Sequence, residues 1–164
     1  MSTQASSARS FCAWVIAFEY YDGPMAGIGL RNRDRMNVFF RAIGWDEEQW
    51  NRVFAVTPVR GDSVESLRSA LIRIEVPKEP FWLPSSATNT PEVTSAWEAL
   101  LADTRESKAW SLVESHNLLS TANETVLPSE LVSAVTQLVA KGLVRDIAGA
   151  APLVPALLDQ LHGE

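Results

Sequence analysis

The sequence predicts an α+β domain: an N-terminal antiparallel sheet of about four strands covered by helices from the C-terminal part of the chain. Three observations predict it. Apolar residues recur with a period of two in the first third of the chain and with a helical period after Gly61. The two patterns follow one another without alternating, which argues against parallel βαβ units. Finally, 46% hydrophobic against 21% charged residues in a chain of 164 supplies the apolar side chains for one core.

Residues 1–10 are mostly Ser, Ala, Thr and Gln without periodicity, as in a disordered terminus. Residues 11–164 read as a single domain: sheet plus first helix over 11–75, a connection over 76–90 and a helical part over 91–164. In the first strand, Trp14, Ile16 and Phe18 alternate with Ala13, Val15 and Ala17. Asp22-Gly23-Pro24 then forces a turn, because Gly accepts positive φ and Pro fixes φ and removes a donor. Met25 to Leu30 is a second strand in which Gly27 and Gly29 signal a bulge or the close approach of another backbone. After the Asn32-Arg33-Asp34 turn, Met36, Val38, Phe40 and Ala42 alternate with Arg35, Asn37 and Arg41, predicting a third strand with one wet face on which Phe39 is the exception. Gly44 to Gln49 reads as a connection, and Arg52 to Val59 as a fourth strand ended by Pro58.

Beyond Gly61, Val64, Leu67, Leu71 and Ile74 share one helical face, and Asp62 with Glu65 has the spacing of a capping box. The prolines of Val76 to Pro84 make an extended connection. Thr90-Pro91 sets an N-cap before a first-turn proline, and Val93, Ala96, Trp97, Leu100 and Leu101 follow at helical spacing. Trp110, Leu112 and Val113 continue or restart that helix, and Asn117 to Thr125 reads as a loop. Pro128 opens another helix through Leu131, Val135, Leu138 and Val139, and a last one follows Pro155.

A net charge of −6 makes nucleic acid and anionic lipid unfavourable partners and a basic protein a suitable one. The apolar run Phe11 to Phe18 is too short to span a bilayer, and Glu19-Tyr-Tyr-Asp-Gly23 stands where a signal peptide would carry small cleavage-site residues, so no membrane and a cytoplasmic location are expected. No catalytic set emerges. The two histidines are His116 and His162, which makes a histidine metal site improbable, and Cys12 sits in an apolar strand as a small hydrophobe. No phosphate-binding glycine motif or nucleophile elbow occurs, and Asp46, Glu47 and Glu48 read as an acidic first turn of helix. No cofactor is expected.

The candidate binding residues are the turn Tyr20, Tyr21, Asp22 and Gly23, the tryptophans Trp45, Trp50 and Trp82 in polar or proline-rich connections, and Arg41. Tyr20 and Tyr21 are expected on opposite sheet faces. Trp14, Trp97 and Trp110 are core by pattern.

The run Glu19-Tyr-Tyr-Asp-Gly-Pro-Met-Ala-Gly-Ile28, with the apolar strand before it and the strand ending near Gly44-Trp45-Asp46, resembles an N-terminal strand-turn-strand motif of small uncharacterised bacterial proteins. The resemblance covers residues 12 to 60. It implies an accessory protein of bacterial conflict systems, immunity-protein-like, whose partner is a toxin or effector, and it carries no assigned chemistry. Two other functions fit single features. A small-molecule sensor or enzyme would need a pocket near Tyr21, Asp22, Arg41 and Trp45. Pro128 to Asp146 is similar to the recognition-helix end of winged-helix regulators, but only Lys141 and Arg145 are there to meet phosphate and no basic wing follows.

Overall fold

In a computed structural model of the chain, the structure describes residues 10–20, 24–46, 51–73, 90–127, 132–133 and 135–136. One six-stranded antiparallel sheet runs in chain order: β1 (Cys12–Tyr20), β2 (Pro24–Arg31), β3 (Asn37–Asp46), β4 (Asn51–Pro58), β5 (Ser111–Ser115) and β6 (Asn123–Val126). Helices α1 (Gly61–Arg73) and α2 (Pro91–Arg105) are inserted between β4 and β5. The architecture is α+β, with six strands instead of four. Both added strands come from the stretch that the periodicity assigns to helix and loop. Leu112 and Val113 are both buried, on opposite faces of β5, so the strand lacks the polar alternation that would mark it.

The chain reverses between β1 and β2, since Tyr20 stands opposite Pro24 in an antiparallel pair. Residues 21–23 lie outside the described residues, as do residues 1–9, 47–50, 74–89, 128–131, 134 and 137–164, and with them most of the expected connection over 76–90, most of the helix expected from Pro128 and all of the last one expected after Pro155. Residues 132–133 and 135–136 are helical, and Val135 is buried as expected.

Both sheet faces are covered. On one, Ile16, Ile28, Phe39, Ile43, Val53, Ala55 and Leu112 pack against Val64, Leu67 and Leu71 of α1 and Val93, Trp97 and Leu100 of α2. Phe18 stacks on Trp97 with centroids 4.1 Å apart, and the Arg68 guanidinium lies 4.8 Å over the Trp14 ring. The helices form an antiparallel pair. Ser63 Oγ donates to Asp103 Oδ2 at 2.6 Å at one end, and Arg73 meets Glu92 at 2.8 Å at the other. The expected capping box is not formed. The helix already begins at Gly61, and Asp62 Oδ1 accepts from its neighbour Ser63 N while Arg60 binds the same carboxylate. Thr90 does stand at the N-cap of α2, with Thr94 N donating to its carbonyl oxygen, though its hydroxyl makes no cap bond.

The second face carries Cys12, Val15, Met25, Val38, Phe40, Ala42, Phe54, Val56 and Val113, with Phe11 and Leu118 beside them. Among the described residues, strands and the loops beside them supply this cluster, and no helix contributes to it. Phe11 N donates to Ser120 O and Cys12 N to Leu118 O, so the sheet curls until the β5–β6 loop meets the start of β1. The wet face expected for the third strand is absent for this reason. Val38, Phe40 and Ala42 fill the inside of the curl, while Phe39, Arg41 and Ile43 lie under the helices. β3 also runs on to Asp46, so Trp45 is a strand residue and not part of a connection.

Thr57, fully buried in β4, ties the sheet to the segment after α2. Its hydroxyl bonds Ser107 Oγ and donates to Ala109 O at 3.0 Å. Thr57→Val keeps the shape and strands both partners. It is expected to lower unfolding free energy by about 1–2 kcal/mol, read from the urea midpoint at unchanged slope, with Thr57→Ser recovering most of the loss.

Candidate functional site

The eight sequence-predicted binding residues are not gathered into one described site. Tyr20 closes β1 opposite Pro24, and Trp45 lies near the end of β3 opposite Arg52, so both stand on the backbone at the same end of the sheet. Tyr21, Asp22, Gly23, Trp50 and Trp82 lie outside the described residues, and with them the opposite-face expectation for the two tyrosines. Arg41 is not a surface residue. It sits mid-strand between Ala26 and Ala55, only 7% exposed, with its guanidinium 5.9 Å from the Phe39 ring. Its stem and charge belong to the layer between sheet and helices.

The best-defined polar arrangement, which the sequence reading missed, lies at the opposite end of the sheet. The β2–β3 turn is closed by Arg31 N to Met36 O and Arg35 N to Arg31 O, both 2.9 Å, with Arg35 in the left-handed region at φ 57. That turn holds Arg31 against Asp34 in a two-pronged contact of 3.0 and 2.7 Å. Arg33 reaches across to Glu124 of β6 with contacts of 2.7 and 3.1 Å, Arg31 meets the same carboxylate at 3.4 Å, and Ser111 Oγ donates to it at 2.8 Å. Residues 91 positions apart in sequence are thus joined where the curled sheet closes. The sequence signal was the Arg-Asn-Arg-Asp-Arg run. Its partner Glu124 stands in a stretch read as loop.

The electrostatics follow from the contacts. Burial pushes the Glu124 carboxyl up, but hydrogen bonds from Arg33 and Ser111 and the two guanidinium charges outweigh it and hold the group below its ordinary value. The hydrogen bond from Arg31 holds Asp34 low, against a smaller opposing effect of burial. The bond to Glu124 raises Arg33. Burial dominates at Cys12, whose thiol is pushed up to about 12 although Arg31 opposes the shift. At neutral pH this sulfur is a protonated apolar group and no nucleophile. The network is a closed set of donors and acceptors that fastens the sheet, with no activated base or thiolate in it.

Among the described residues, no group of three or more His, Cys, Asp and Glu side chains stands together as a metal centre would require. Among them, too, no helix is long and apolar enough to cross a membrane. No protein-family model, curated protein sequence or solved structure matches this chain.

Proposed function

We propose that this chain is a non-enzymatic bacterial binding protein, an immunity or inhibitor protein that masks a basic toxin or effector. The observation that carries the reading is the combination of carboxylate and aromatic residues in and next to the strand ends of β1 and β3. Glu19 and Tyr20 end β1 and Trp45 and Asp46 end β3 at the same end of the sheet, while Tyr21 and Asp22 fall in the sequence between β1 and β2, and Glu47, Glu48 and Trp50 between β3 and β4. At the other end the carboxylates are matched, Asp34 and Glu124 by Arg31 and Arg33 and Asp62 by Arg60. An acidic pole bearing aromatic residues suits a cationic protein surface, because opposite potentials steer the encounter and large rings supply the anchors. The overall charge of −6 and the resemblance of the Glu19 to Ile28 run point the same way.

The test is co-expression with the toxin or effector that co-purifies with the chain from its native host. Growth protection is the expected result, with an association rate that falls as salt is added. The double reversal Glu47→Lys with Glu48→Lys is expected to slow association about tenfold and to weaken protection. Protection untouched by the double reversal, with a salt-independent rate, would remove the proposal.

A further inference from the structure

Ten lysine and arginine side chains belong to the described residues, and eight of them are engaged. Arg31, Arg33, Arg60 and Arg73 have carboxylate partners, Arg35 donates to Asn32, Arg52 donates to the His116 carbonyl oxygen, and Arg41 and Arg68 lie over aromatic rings. The two without an ion pair, hydrogen bond or ring contact are Arg105 and Lys108, and both line one cleft of about 580 Å³. From this coincidence we infer that the cleft between the end of α2 and the helical residues 132–133 and 135–136 binds a small organic anion, its phosphate or carboxylate group held between Arg105 and Lys108. This site lies apart from the acidic pole and goes beyond the immunity reading.

The cations are not occupied in finishing the helix. The carbonyls of Asp103 and Thr104 in the last turn of α2 already accept from Glu106 N and Ser107 N at 3.3 and 3.2 Å. The wall that carries them is anchored, because the neighbouring Ser107 hydroxyl is bonded to buried Thr57 in β4. The opposite wall offers Ser133, whose hydroxyl has no partner among the described residues, and half-buried Val132, which packs against the core. Thr136 beside them spends its donor on Val132 O at 2.8 Å and keeps its lone pairs for an incoming hydroxyl. Glu106 also lines the cleft and leaves the local balance at one net positive charge. Two cations, a hydroxyl donor and an apolar surface in a space of ligand-pocket size call for an anionic head on an apolar body.

The experiment titrates the full chain at low ionic strength with phenyl phosphate, benzoate and inorganic phosphate, following backbone amide shifts by NMR. Saturable binding of an organic probe at one per chain, tighter than inorganic phosphate, is expected to shift residues 105–108 and 132–136. The stronger organic probe identifies the anionic head. Arg105→Gln and Lys108→Gln should each weaken binding about tenfold, as loss of a charge-assisted contact does, while Arg73→Gln on α1 leaves it unchanged. No saturable binding of either organic probe overturns the inference, and so does an equal loss in Arg73→Gln, which would mark diffuse charge attraction. Failure here leaves the toxin-masking reading standing, because that reading is tested by growth protection at the other pole.

Discussion

Gly27→Ala is expected to destabilise the protein by about 3 kcal/mol or more, the upper range for forcing extra volume into a packed interior. Gly27 lies on β2 opposite Ala17, where β1 is bulged and pressed close. A Cβ built there would overlap the Ile16 carbonyl oxygen and come within 2.8 Å of the Ala17 Cα. Both obstacles are backbone of a strand whose residues Ile16 and Ala17 are fully buried, so neither can yield without pulling β1 off β2. Gly29→Ala meets the Trp14 carbonyl oxygen at 2.9 Å but otherwise the side chains of Cys12 and Val15, which can turn aside. About 1–2 kcal/mol is expected there. Gly61→Ala supplies the control. Nothing lies within 4 Å of its added Cβ, and as the first residue of α1 it should gain up to about 1 kcal/mol from helix propensity and a less flexible unfolded chain. Urea denaturation of the three variants orders them. A Gly27→Ala protein as stable as Gly61→Ala would mean that the two strands are not pressed together as described.

The glycines also show what the sequence could disclose. Two glycines in a short apolar strand leave either a bulge or a close backbone approach, and the structure has both, with two register shifts on the partner strand and one at Met25 of β2 itself. The α2 start at Thr90-Pro91 and the buried face of Val93, Trp97 and Leu100 were equally legible, because capping and helical period are local properties. What stayed hidden depends on contacts between distant residues. β5 is five residues long with apolar neighbours on both faces, and β6 is the polar Asn-Glu-Thr-Val, a strand only because β5 pairs with it. Arg41 read as a solvent-facing residue, since the helices that cover it follow twenty residues or more later in the chain. Of the candidate site, the sequence identified residue types suited to binding but not their grouping, and Arg105 and Lys108 escaped it because, among the described residues, an unengaged cation is visible only once the other cations there have been matched to their partners.

Glu124→Ala is expected to cost about 3 kcal/mol, because it removes the acceptor at the centre of the closing network. Arg31, whose side chain is only 5% exposed, keeps Asp34 but loses its second carboxylate. Ser111, also buried, loses its acceptor, and Arg33 is released from β6. Glu124→Gln retains an acceptor oxygen for Ser111 without the charge, and about half the loss is expected. The pH dependence separates this role from simple loss of packing. Glu124 and Asp34 both ionise more readily in the folded protein than at their ordinary values of 4.5 and 3.8, so the unfolded chain takes up protons first as the solution is acidified. Their contribution is therefore complete above the ordinary carboxylate range and drains away as pH falls through the lowered folded values. Wild-type protein should lose stability steeply below about pH 5, and Glu124→Ala, already lacking one of the two groups, should lose it along a shallower limb. Urea midpoints measured across that acid range decide the matter: parallel limbs for the two proteins would show that Glu124 holds β6 by its bulk alone.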